Sequence, residues 1–265
     1  MSQPLLIARQ GAVVTLTLNR PEVRNALSRE MTQQMEQAFR DIERDASCRC
    51  VVVRGQGDHF MAGGDVKNMH ANRERTPAQR RDEFEHFINQ LHPTMTLMRR
   101  LPKPILASVR GGVAGFGMSL MMACDLAIAG EDSFYTLAYC HIGVSPDGSS
   151  TYSLPRLVGM RKAMEIAMLG ERFDAAEALR LGLVNKVVAA AALEAETAKL
   201  AARLAAGPTR AYGHIKRLLH ASLGRDYESQ LQAEAEAFAD CASGADFIEG
   251  ITAFVEKRPP RFQGS

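Results

Sequence analysis

The chain has 265 residues, the length of one large domain or of a domain with an appendage. Hydrophobic residues make up 46% and charged residues 23%, a globular balance that excludes disordered, collagen-like and coiled-coil chains. The 32 Lys and Arg against 30 Asp and Glu leave a net charge of +2 spread along the chain, so no nucleic-acid groove and no polybasic membrane anchor is expected. The five cysteines are odd in number and contain no Cys-x-x-Cys pair, which predicts reduced thiols in a cytoplasmic protein rather than disulfides or a zinc knuckle. Met1 to Arg9 lacks the basic and then apolar pattern of a secretory signal, and Gly115, Gly117 and Asp125 interrupt the longest apolar run, so no membrane partner is expected.

In chain order, Leu5 to Arg9 and Val13 to Leu18 read as a hairpin entering a sheet, followed by a polar loop, Asn19 to Asn25. Ser28 stands where an N-cap belongs, and Met31, Met35, Phe39 and Ile42 recur at helical spacing over 29–44. Cys50 to Arg54 is a buried strand leading into the loop Gly55 to Gly64. One helix is predicted over 77–100, closed by Pro102 and Pro104 before the strand Ile105 to Val109. Gly111 to Gly117 opens a helix over Met118 to Cys124, and Leu126 to Ala129 is a strand. Beyond 148 the pattern is almost wholly helical: 149–157, 161–169, 174–181, 190–206, 209–223, 226–241 and 244–256. The last part reads as a helical appendage without a sheet of its own, and its end, Glu256 to Phe262, as either a docked helix with a frayed end or a ligand or partner contact.

Two segments carry small residues where backbone N–H groups can face a ligand: Ala62-Gly-Gly-Asp65 and Gly111-Gly-Val-Ala-Gly-Phe-Gly117. The second opens onto an apolar helix, whose free amides and dipole favour developing negative charge. Two such donors converging on one oxygen would make an oxyanion hole; a purely structural turn is the alternative. A dinucleotide fingerprint fails, because no third glycine follows Gly115-Phe-Gly117 at Leu120.

These loops, together with Leu18 to Leu27, Gly111 to Asp125, Leu154-Pro-Arg-Leu-Val-Gly159 and Gly182-Leu-Val-Asn185, run in one order over nearly the whole chain and resemble the crotonase, or enoyl-CoA hydratase/isomerase, superfamily. The resemblance implies an α/β spiral of ββα units over 1–200 and a helical oligomerisation region over 201–265. It implies an acyl-CoA thioester substrate, with coenzyme A as part of that substrate and neither cofactor nor metal, and a homotrimer or hexamer. By motif position the backbone donors fall on Gly64 and Phe116. Substrate contacts fall on Arg24, Ala26 and Ala62, with Asp65, Val66, Gly115, Ser119 and Tyr139 beside them. Arg24 suits a CoA phosphate through guanidinium geometry; a solvated loop charge is the alternative.

The family's hydratases use two glutamates to place and split a water, and this chain carries Ser119 and Tyr139 at those positions. Neither is an efficient base near neutral pH. Asp147, eight residues beyond Tyr139, matches the aspartate of family members that move a double bond and of 4-chlorobenzoyl-CoA dehalogenase. Its alternative role is to cap the helix starting near Gly148. His92 falls at the dehalogenase's histidine position, near the end of the predicted 77–100 helix. The expectation is double-bond isomerisation with Asp147 as base; the alternatives are a hydrolase using Asp147 with His92, and an acyl-CoA-binding protein with no turnover. Among the other histidines no metal-ligand spacing occurs.

Overall fold

The computed structural model describes residues 3–265. The chain opens with the antiparallel hairpin β1 (Leu5–Gln10) and β2 (Val13–Leu18), turned at Gly11. Helix α1 (Arg29–Arg44) starts at Ser28, whose side chain accepts from the Met31 N–H, and it buries Met31, Met35, Ala38, Phe39 and Ile42 along one face. Each large apolar side chain so buried contributes about 1.5–3 kcal/mol. Lys103, itself buried, closes the other end of α1 by donating from Nζ to the carbonyls of Ile42 and Asp45.

β3 (Cys50–Gly55) then begins a spiral. It lies parallel to β2, and the chain after it reaches Met61, which bridges to Val113. Helices α2 (Val66–Ala71), α3 (Pro77–Asn89) and α4 (His92–Arg100) follow. The next turn gives β4 (Ile105–Val109), β5 (Gly112–Ala114) and α5 (Phe116–Ala123), and the next β6 (Leu126–Gly130), β7 (Phe134–Thr136), α6 (Ser150–Val158) and α7 (Met160–Leu169). Each turn of the spiral thus places one strand in a six-stranded sheet, ordered β1-β2-β3-β4-β6-β9, and a second short strand or bridge at β5-β7-β8. β8 (Phe173–Asp174), α8 (Ala175–Arg180) and β9 (Lys186–Val188) complete both sheets. Helices α9 (Leu193–Ala205), α10 (Thr209–Ser222), α11 (Tyr227–Ala242) and α12 (Ala245–Val255) end the chain.

Both faces of the large sheet are covered, which explains the unbroken apolar reading of β3. Val51 and Val53 face the main core with Leu16, Phe39, Met98 and Ile105, while Cys50 and Val52 face a second cluster with Leu106, Ile128 and the α9 residues Leu193 and Ala201. α9 is therefore part of the two-faced core, and the expected boundary at 200/201 cuts through a helix; by packing, the appendage begins at α10.

Three further expectations are corrected. The helix over 77–100 is two helices, because Pro93 lacks the N–H that a continuous helix needs and stands in the first turn of α4, so His92 begins a helix instead of nearing the end of one. The stretch beyond 148 contains β8 and β9, strands of two and three residues that tertiary pairing makes. The docked end is held rather than frayed: Asp246 accepts from the Gln263 and Gly264 N–H groups, Glu249 pairs with Arg258, and Arg49 donates to the Phe262 carbonyl.

Candidate active site

Three loops meet where the spiral brings its ends together, and the first is the polar loop after β2. Arg24 and Asn25 both adopt left-handed backbone, with φ of 53° and 57°, a conformation that costs an arginine on the order of 1 kcal/mol and an asparagine less. It aims the Arg24 carbonyl at the Ala62 N–H, 2.9 Å away. Asn25 is fully buried; its Nδ2 donates to the carbonyls of Gln56, His59 and Phe60, and its Oδ1 accepts from the Arg20 N–H. The loop before α1 and the loop after β3 are thereby one unit. The Arg24 side chain projects into solvent, while Ala26 is buried and Ala62 half-buried beside it.

The second loop, 59–64, runs along β5: the Phe60 N–H donates to Arg110, that of Met61 to Gly112, and that of Ala114 back to Met61. This alignment lays Gly63 against the third loop. A Cβ on Gly63 would stand 3.0 Å from the Ala114 carbonyl oxygen and 3.4 Å from the Phe116 nitrogen, and Gly63 has φ of 91°, so glycine is required there. Gly64 follows Gly63, and Phe116 is the first residue of α5. Among the described residues neither N–H donates to a backbone carbonyl, and both lie beside the contact of Gly63 with Gly115. The Phe116 amide also sits at the positive end of α5.

Asp147 does not cap α6. The residue flanking that helix is Ser149, without a side-chain cap; the Asp147 carboxylate turns instead to Tyr139, whose hydroxyl donates to Oδ1 at 2.5 Å. The backbone carbonyl of Asp147 accepts from the Ser119 hydroxyl at 2.9 Å and from the Ser150 hydroxyl at 2.8 Å. Gly148, at φ of 57°, lies so close under Phe116 that a Cβ would come within 2.7 Å of its ring. Phe116, Ser119, Tyr139 and Asp147 are thus gathered in one place. Burial pushes the Asp147 carboxyl above its ordinary range, against the Tyr139 hydrogen bond and the charge of His92, which both lower it. Burial and the neighbouring carboxylate push the Tyr139 phenol far up, so that it stays a donor. His92 itself is exposed at the start of α4.

Asp65 differs from the expectation of a substrate contact. One of its oxygens accepts from the Asn68 N–H at the start of α2 and the other from Arg20 at 3.0 Å, so its side chain holds loop to loop. Val66, next to it, is exposed, and Gly115, at φ of 50°, lies between Gly63 and the Tyr139 ring. A cleft of about 570 Å³ lined by Arg20, Leu27, Asp65, Met69, Phe84 and Phe87, among others, borders Gly64 through the Met69 methyl. Asn25 and Arg20 were not singled out from sequence; the one signal was an asparagine inside a charged loop that must turn sharply. Among the described residues no group of three or more His, Cys, Asp or Glu side chains is placed to hold a metal.

A two-sheet spiral of this kind, with two glycine loops laid against each other at Gly63 and Gly115, is the architecture of the crotonase superfamily. The enoyl-CoA hydratase/isomerase family model matches residues 8–265. A probable enoyl-CoA hydratase of Rhodobacter capsulatus is 36% identical over 252 residues, 95% of each chain. The 1,2-epoxyphenylacetyl-CoA isomerase of Escherichia coli is 33% identical over 264 residues, the whole of both chains. The crystal structure of an enoyl-CoA hydratase from Polaromonas sp. JS666 superposes with a TM-score of 0.92 at 34% identity, covering 98% of this chain and 99% of that one. The chain belongs to the enoyl-CoA hydratase/isomerase family and is an acyl-CoA enzyme; its relatives carry both hydratase and isomerase names.

Proposed function

We propose that this enzyme moves a carbon–carbon double bond in an enoyl-CoA thioester, with Asp147 as its base. The observation that carries the reading is the placement of Asp147: its carboxylate is drawn away from the helix it could have capped, one oxygen is held by Tyr139, and no described residue donates to the other. The family's two hydratase glutamates are replaced by hydroxyls that donate to Asp147, leaving no pair of carboxylates to place and split a water. The thioester oxygen lies between the Gly64 and Phe116 amides. Asp147 removes a proton from the α carbon of a 3-enoyl thioester; the electrons pass into a dienolate whose oxygen the two amides stabilise; the same carboxyl returns the proton at the γ carbon, giving the 2-enoyl thioester. The raised pKa of Asp147 strengthens it as a base for a carbon acid.

Arg24 pairs with a CoA phosphate, and Ala26, Ala62 and Val66 line the nucleotide and pantetheine, in keeping with the exposed Arg24 side chain and the small residues beside it. The exposed apolar faces of α10 to α12 support assembly as a homotrimer or a pair of trimers. A second reading, hydrolysis of an aryl- or acyl-CoA with His92 activating water, is favoured by the effect of the His92 charge on Asp147.

The test is proton exchange by NMR in deuterated buffer, with a 3-enoyl-CoA and a 2-enoyl-CoA, on wild type and a folded Asp147→Asn variant. Deuterium at the α or γ carbon with wild type alone is expected. No exchange in either protein despite measured binding of both thioesters would sink the isomerase reading; release of free CoA from these thioesters, or of chloride from a chlorinated aryl-CoA, would support hydrolysis.

A further inference from the structure

We infer that Tyr139 is the positioning residue of this site: its hydroxyl holds Oδ1 of Asp147 and so commits Oδ2 as the one oxygen that moves the proton. This rests on the reading of Asp147 as base. The backbone beneath Asp147 is fixed on both sides. Its carbonyl accepts from the Ser119 hydroxyl, the Ser150 hydroxyl and the Ser150 N–H, and Gly148 is wedged under the Phe116 ring. What the backbone leaves free is the rotation of the carboxylate about the Asp147 side chain, and the 2.5 Å bond from Tyr139 removes that freedom.

Tyr139 is itself aimed. Ala138, just before it, is held in left-handed backbone with φ of 44°, an uncommon conformation for alanine, and the Tyr139 carbonyl accepts from the Val144 N–H. The turn presents the edge of the phenol ring to Gly115, with Cε2 and Cζ each 3.9 Å from where a Cβ would stand. One ring therefore reaches from beside the residue preceding the Phe116 amide to the Asp147 carboxylate. The groups that bear on Asp147 are Tyr139 from the turn after β7, His92 from α4, and the Ser119 and Ser150 hydroxyls from α5 and α6, which reach its backbone carbonyl; Ser119 also bears on the Tyr139 hydroxyl, whereas Ser150 does not. Tyr139 is the only one of these that bonds to the carboxylate, and because its phenol stays protonated it favours the ionised form of Asp147 throughout the neutral range.

The experiment compares pH profiles of kcat/KM and kcat for isomerisation in wild type, Tyr139→Phe, Ser150→Ala and Asp147→Asn, with folding checked by thermal melting and thioester affinity measured separately. Tyr139→Phe keeps the ring and removes the donor. The acid limb is expected to move upward by about one pH unit, because Asp147 stays buried and loses a bond that favours its ionised form. The plateau kcat is expected to fall roughly 10- to 100-fold from lost orientation, with KM little changed. Ser150→Ala is expected to lower the rate and leave the limb in place, since its hydroxyl reaches only the Asp147 backbone carbonyl. A limb unmoved in folded Tyr139→Phe, or moved equally in folded Ser150→Ala, overturns the inference. Activity retained by Asp147→Asn overturns the base assignment itself, which separates the two failures.

Discussion

Asn25 does its work as a single side chain: three carbonyls and one N–H from two loops converge on its amide, and it accepts a positive φ more readily than most residues. That pattern lets Gly64 approach α5 with its N–H free. The role assigned to that amide makes a direct prediction. Gly64→Pro removes the donor and is expected to lower kcat about 10²–10³-fold, while the Met69 methyl, the one group an added Cβ meets, can swing aside. Full activity in a folded variant would show that Gly64 is not a donor. At this scale Asp147, Ser119 and Tyr139 were legible as a set, because their motif positions are collinear. The choice between cap and base at Asp147 was not: Asp-Gly-Ser-Ser suits a helix start equally well, and only the position of the Tyr139 hydroxyl, eight residues earlier in the chain, turns the carboxylate away. Asp65 went the other way, because nothing local reveals that Arg20 lies against it.

Among the elements, α10 shows how a polar helix is anchored to an apolar core. Lys216, nearly buried, donates to Asp125 at 2.9 Å, and the same carboxylate oxygen accepts from the Ile105 N–H at the start of β4. One turn on, His220 is held down to about 4 by burial and then by the charges of Arg99 and Lys216. In the unfolded chain this imidazole titrates near its ordinary value of 6.5. Below that pH the unfolded state gains a proton that the folded state refuses, so stability is lost between about pH 6.5 and 4, and this group adds no further loss below that window. The difference in Tm between wild type and His220→Gln is expected to shrink across that interval; parallel curves from pH 8 to 4 would show that His220 is not held neutral. Long periodic elements such as α1 were readable because the apolar spacing and the Ser28 cap agree. β8 and β9 were not, since strands this short carry no periodicity and exist only through pairing with β7 and β6. The break at Leu91 was signalled by Pro93, yet the apolar pattern running through it suggested continuity.

For the molecule as a whole, the described chain leaves Leu219, Leu223, Tyr227, Phe238, Phe254 and Val255 on the outside of the last three helices, each more than half exposed. These exposed apolar side chains are what the proposed homotrimer would cover. Truncation after Gly224 is expected to convert a trimer into monomer or aggregate on sizing with light scattering, and a stable trimer after truncation would place the interface elsewhere. Among the described residues no helix is long and apolar enough to cross a membrane. By itself the sequence determined the main α/β elements, the glycine loops and the hydroxyl-for-glutamate replacements, because each is written in local periodicity, conformational demand or side-chain chemistry. Only the tertiary structure decided that the spiral lays Gly63 on Gly115, that Asn25 and Arg20 fasten the loops, and that Tyr139 holds the Asp147 carboxylate. Those contacts join residues far apart in the chain, and no local pattern encodes which of two available partners a buried polar group will take.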